Sequence, residues 1–128
     1  MPADDLHRAA DLDRSRATVN RAGAAGLAPR PWQHPGQPAS DVDLVRFAAW
    51  SARHPDTVDP AVLDAALRLL TPARAELDQI ESGLLFAARA SGMTWPQIAE
   101  SLGLGSAQAA QQRLGRILGR TGVSTPGA

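Results

Sequence analysis

Apolar residues recur at helical spacing through most of the chain from residue 41 onward. Leu44, Val45, Ala48 and Ala49 repeat with the 3.6-residue period, Phe47 and Trp50 add bulk to one side, and Asp41 stands where it can cap the helix they form. The pattern predicts that this helix ends near His54-Pro55, because the residue before a proline is biased away from helical conformation. Asp59 followed by Pro60 supplies a cap and a first-position proline ahead of Val62, Leu63, Ala66, Leu67 and Leu70. Thr71-Pro72 repeats that start signal, and the helix it opens carries Leu77, Ile80, Leu84, Leu85 and Ala88 on one face as far as Ser91-Gly92. No window alternates with period two for long enough to make a strand. The expected fold is all-α, a small bundle of about five helices over residues 41–120.

The first 40 residues read differently. Leu6, Ala9, Ala10, Asp13 and Ala17 sit at helical spacing, but this stripe offers one large apolar residue, too little surface to offset the entropy of ordering it. Four of the ten prolines, Pro29, Pro31, Pro35 and Pro38, then fall within ten residues, the composition of a linker. Residues 1–40 are therefore expected to form a disordered arm or a fraying helix, with Trp32 either docked or solvated, and residues 121–128 a flexible tail.

The segment 92–120, GMTWPQIAESLGLGSAQAAQQRLGRILGR, carries more specific information. Thr94 and Gln97 have the spacing of a capping box, and Trp95 and Pro96 occupy the first turn, where a missing amide costs least. Ile98, Ala99 and Leu102 make the inner face of a short helix over 94–102, with Ala99 small enough for a second helix to cross close by. Gly103 permits the positive φ of a sharp turn, Leu104 plugs that turn into the core, and Ser106 caps a second helix over 106–118. This order of small residue, large apolar residue, glycine, large apolar residue and cap is a helix-turn-helix arrangement at 94–118. At about 100° per residue, with Leu114 toward the core, Ala110, Ile117 and Leu118 lie within about 60° of it, while Gln108, Ala109, Gln112 and Arg116 fall on the far side.

These residues resemble the bacterial helix-turn-helix DNA-binding proteins, above all small actinobacterial ones with a Trp-x-x-Ile-Ala-x-x-Leu-Gly core. The resemblance covers residues 92–118, at Trp95, Ile98, Ala99, Leu102 and Gly103, then Ser106, Gln108, Ala110 and Gln112-Arg113-Leu114. Region four of sigma factors is similar as well. Gly105 departs from the most compact form of the pattern by lengthening the turn by one residue. The resemblance implies double-stranded DNA as the partner and Ser106, Gln108, Ala109, Gln112, Arg113, Arg116 and Arg120 as the DNA-binding face. Gln pairs bidentately with the adenine edge and a small alanine can touch a thymine methyl, so Gln108, Ala109, Gln112 and Arg113 are expected nearest base edges. Arg116 and Arg120 are expected nearest phosphate, which the guanidinium fork suits. The competing reading is that these amides and guanidiniums only solvate an exposed helix.

Charge sharpens this picture. The 128 residues carry 13 Arg and no Lys against 13 carboxylates, for a net charge of zero. The distribution is uneven: residues 1–40 sum to plus one, 41–85 to minus four and 86–128 to plus three, and no carboxylate interrupts residues 101–128. An acidic body with a basic end fits a polyanion-binding module. With so few phosphate-directed arginines per chain, a homodimer reading two half-sites would strengthen binding, and Phe47, Trp50, Leu67, Leu69 and Leu70 are candidates for its face.

Other chemistry finds little support. The absence of Cys excludes disulfides, thiolate metal sites and cysteine nucleophiles. His7, His34 and His54 are widely separated and lie in no metal-ligand spacing, no glycine-rich loop follows a strand, and the acidic pairs Asp41/Asp43 and Asp56/Asp59 sit at helix starts. No catalytic residue, metal ligand or cofactor is assigned, and the chain is not expected to be an enzyme. Without a membrane-length apolar run or a signal-peptide pattern, it is expected in the cytoplasm, associated with the nucleoid and with no membrane partner. Two functions follow: a helix-turn-helix DNA-binding protein that regulates transcription or associates with the chromosome, or a non-catalytic protein-interaction module that keeps the motif as scaffold and binds a basic partner through its acidic 41–85 region.

Overall fold

The computed structural model describes residues 2–120, and among these it is all-helical, without a strand. Its α-helices are α1 (Ala3–Arg21), α2 (Asp41–Ser51), α3 (Pro60–Arg68), α4 (Leu70–Ala90), α5 (Trp95–Leu102) and α6 (Ala107–Arg120), with a 3-10 turn at Ala24–Gly26. The described residues thus hold six α-helices where about five were expected, because residues 3–21 are helical. Two compact units share the chain, Met1–Arg74 and Ala75–Ala128, and the division falls inside α4. The tail expected at 121–128 lies outside the described residues. No helix among the described residues is long and apolar enough to cross a membrane.

Of the two alternatives expected for residues 1–40, a disordered arm or a fraying helix, the first unit holds a helix, and one that packs. The stripe anticipated through Leu6 is not the one that packs, since Leu6 is exposed. The row that packs is half-buried Leu12 with buried Ser15 and Val19, at i, i+3 and i+7, and it lies against α3 and α2. Val19 is fully buried among Leu44, Ala48, Val62, Ala65, Ala66 and Leu69. Beside this row Arg16 forks onto Asp41, with Nε 2.7 Å from Oδ1 and Nη2 3.0 Å from Oδ2, and a second contact to Asp13 at 2.9 Å. Burial of Val19 and this bidentate pair supply what the local sequence of α1 lacks, and both depend on residues more than 20 positions away.

That pairing also moves a cap. Asp41 was expected to cap α2, but Ser40 does so, its Oγ accepting from the Asp43 amide at 3.2 Å, while Asp41 is drawn to Arg16. The Pro-rich stretch lacks regular structure but closes two turns, Gln33 N to Arg30 O at 3.0 Å and Gln37 N to His34 O at 2.9 Å. In each turn the glutamine Oε1 accepts in return from the amide of Arg30 or His34, so a sequence without helical potential still holds its polar groups. Trp32 takes the solvated alternative. Gly23, with φ +136°, lets α1 exit directly over α2, where an added Cβ would lie 2.9 Å from the Phe47 ring. Asp59 and Pro60 start α3 as expected, Asp59 Oδ1 accepting from the Ala61 amide at 2.9 Å. Helix α2 stops at Ser51, short of His54-Pro55, and α4 begins at Leu70, which puts Thr71-Pro72 inside its first turn.

In the second unit Leu85 of α4 is buried with Ile98, Ala99, Ala110, Leu114 and Leu118, and Ala88, Trp95, Leu102 and Leu104 pack around them. The expected inner face of α4 is corrected here too. Leu77, Ile80 and Leu84 are half or more exposed, and the row that faces inward is Asp78, Glu81, Leu85 and Ala88. Two of these four are acidic because arginines of α6 meet them.

Candidate nucleic-acid interface

The junction of α5 and α6 is built by local signals that agree. Thr94 Oγ1 accepts from the Gln97 amide at 3.2 Å while Gln97 Oε1 accepts from the Thr94 amide at 2.8 Å, a complete capping box, with Pro96 in the first turn. Gly103 ends α5 in the left-handed region with φ +72°, and Leu104 N returns to Ala99 O at 2.8 Å. Ser106 Oγ accepts from the Ala109 amide at 3.1 Å and so caps α6. At the start of α5, the Arg89 guanidinium lies 5.1 Å from the Trp95 ring centre and donates to Met93 O at 3.0 Å, fixing the connection from α4. With α5 and α6 the most closely packed helix pair of this unit, the two form a fixed frame across a short turn.

Helix α6 divides its faces as the helical wheel requires. Ala110, Leu114, Ile117 and Leu118 are buried. Gln108, Gln112 and Arg116 are exposed, Ser106 at the helix start is exposed, and Ala109 is half-buried. Gln111, not among the residues expected there, is exposed beside them, so the outer surface is three amides and a guanidinium around a small methyl, preceded by a hydroxyl that already serves as cap. Among the described residues Arg116 has no carboxylate partner. Gly115 and Gly119 do not interrupt the helix, and nothing lies within 4 Å of a Cβ built at either, so close packing does not require them.

Arg113 and Arg120 stand apart from the other residues expected on this face. Arg113 forks onto Glu81, with Nε 2.9 Å from Oε2 and Nη2 2.6 Å from Oε1. Arg120 forks onto Asp78, with Nε 3.0 Å from Oδ2 and Nη2 3.3 Å from Oδ1. The hydrogen bond from Arg120 is the main cause holding the Asp78 carboxyl below its ordinary value of 3.8, against a desolvation that works the other way. The same bonds, to Glu81 and to Asp78, raise both guanidiniums above their ordinary value, so all are charged at neutral pH. Arg113, expected at a base edge, and Arg120, expected at phosphate, are engaged by α4, and only Ser106, Gln108, Ala109, Gln112 and Arg116 remain together on the outer surface.

Asp78 and Glu81 are the residues that sequence reasoning missed. A signal existed: they sit at i and i+3 on α4, while Arg113 and Arg120 sit at i and i+7 on α6, each pair flanking an apolar row. The acidic middle of the chain is largely spent in this way, since Asp41 pairs with Arg16, Asp43 lies 3.8 Å from Arg30, and Asp64 pairs with Arg68 at 2.9 Å. Among the described residues no three His or carboxylate side chains converge as a metal site would need. Comparison with protein-family models, curated proteins and solved structures finds no match to this chain, so the reading of the interface rests on its own residues.

Proposed function

We propose that this chain is a DNA-binding protein that lays α6 in the major groove as the second helix of a helix-turn-helix, and that it regulates transcription or associates with the chromosome without catalysing a reaction. The observation that carries this reading is the outer face of α6: Gln108, Ala109, Gln112 and Arg116 stand together, free of carboxylates, behind a tight turn that fixes their helix. Amides at that position suit adenine edges, and Arg116 suits a flanking phosphate. Ser106 can still donate its hydroxyl proton while accepting as a cap.

The test is a fluorescence-anisotropy titration against a random 30-base-pair duplex pool and against genomic fragments, each at two salt concentrations. Salt-dependent binding with enrichment of particular fragments is expected. Gln112→Ala should relax preference at one base position by about 1–3 kcal/mol, whereas Arg116→Ala should weaken all sequences alike and lower the salt slope by about one. Equal loss of preference from both variants contradicts these roles.

A second reading is favoured by one observation, the half-exposed row Leu77, Ile80 and Leu84 on α4. It lies within the 41–85 region, and apolar side chains in a row are typical of protein contact. Under this reading the chain is a protein-interaction module, and no version of it binds duplex even at low salt. The basic partner expected from charge has less support, because five of the eight carboxylates of the region pair with the chain's own arginines.

A further inference from the structure

We propose that Asp78 and Glu81 set the selectivity of this interface by holding Arg120 and Arg113 away from polyanions, so that α6 presents one free guanidinium instead of three. The proposal deepens the DNA-binding reading and rests on it for its biological consequence. Its physical basis is a two-rung ladder between α6 and α4, in which Arg113 forks onto Glu81 and Arg120 onto Asp78. Each rung uses the Nε and Nη2 edge of the guanidinium, one of the two edges that can receive two oxygens of a phosphate. A phosphate reaching either arginine from its remaining Nη1 side meets a guanidinium whose charge is already answered by a seated carboxylate, and the repulsion between the two anions weakens the contact.

The consequence concerns the ratio of specific to non-specific binding. Non-specific affinity for duplex grows with each phosphate neutralised, and each adds to the salt slope. Three free arginines on one short helix would bind any sequence, whereas base-edge contacts from Gln108 and Gln112 do not depend on the ladder. Engaging two of the three lowers the background and leaves the reading face intact, which raises discrimination between sites. Glu100, the single carboxylate of α5, has no ion-pair partner among the described residues and provides a charge-matched comparison.

The experiment measures the full chain with Asp78→Asn, Glu81→Gln, both together, Glu100→Gln, and the double variant combined with Arg113→Ala and Arg120→Ala. Far-UV circular dichroism and thermal unfolding verify that each is folded. Salt of elution from heparin reports polyanion access, and anisotropy with the random duplex pool reports DNA. The expected result is later elution for each ladder variant, roughly tenfold tighter random-duplex binding for the double variant, and a salt slope steeper by about two. Glu100→Gln should change little, and the gain should vanish once both arginines are removed. The proposal is overturned if Glu100→Gln matches either single ladder variant, or if the gain persists without Arg113 and Arg120. Should heparin elution shift as expected while no variant binds duplex, the ladder stands as a shield against polyanions and the DNA-binding reading fails by itself.

Discussion

The two units of this chain are of similar make, each with three helical segments around a small aliphatic core, yet they depend on sequence in opposite ways. The second unit is assembled from local instructions: a capping box at Thr94, a left-handed glycine at 103 and a serine cap at 106 fall within 13 residues. The first unit is assembled from distant ones, since α1 is held by Val19 against α2 and α3 and by Arg16 against Asp41. Short-range signals dictate where a chain turns, and long-range ones dictate whether a weak helix forms at all.

The largest effect that would test this division comes from the first core. Leu44 is fully buried there, and Leu44→Ala should cost about 2–5 kcal/mol. If the two units are separate in stability as in packing, amide hydrogen exchange in this variant will accelerate through α1, α2 and α3 while α5 and α6 keep their protection. Equal acceleration everywhere would make the chain one cooperative body and remove the comparison.

The same contrast explains how much was legible beforehand. The α5–α6 junction was readable to the residue because each instruction acts within four positions of its effect. The helix at residues 3–21 was not, because a stripe with Leu6 looks no weaker than one with Val19 until the partner surface is known, and only the latter is buried. The inner face of α4 was misread for a related reason. Apolar periodicity favoured Leu77, Ile80 and Leu84, while the face that turns inward is selected by Arg113 and Arg120 on a helix more than 30 residues away. The segregation of charge along the chain was visible and its meaning was not: the acidic middle answers basic residues on both sides, Arg16 before it and Arg113 and Arg120 after it. Five of the eight carboxylates of that middle are engaged within the chain itself.

Two glycines of the second unit sharpen the point at smaller magnitude. Gly103 and Gly115 both have open space where a Cβ would go, so a methyl meets no neighbour at either. Gly103 has φ +72°, and Gly103→Ala should destabilise by about 1–2 kcal/mol through backbone strain alone. Gly115 lies within α6 in ordinary helical conformation, and Gly115→Ala should stabilise by up to about 1 kcal/mol. Opposite shifts in melting temperature are expected from one chemical change. Shifts of the same sign would mean that the turn is not set by the left-handed glycine.

The smallest effect concerns the ladder and appears only in acid. The Asp78 carboxyl is held below its ordinary value of 3.8, chiefly by the hydrogen bond from Arg120. A carboxyl whose folded value is depressed binds its proton more readily in the unfolded chain, so its contribution is complete above the unfolded value and is lost as pH falls through the folded one. The guanidiniums are shifted upward from their ordinary value, so they stay charged and their part does not change across the acid range. Wild type and Asp78→Asn should therefore differ in melting temperature at pH 6, begin to converge only below about pH 4, and meet once pH has fallen past the depressed folded value, where the carboxylate becomes a neutral acid. Because Arg120, the other half of the rung, is more than half exposed, added salt should narrow the gap at pH 6 as well. A gap that is constant from pH 6 to pH 2 would assign the effect of the substitution to packing and not to the charge of the rung.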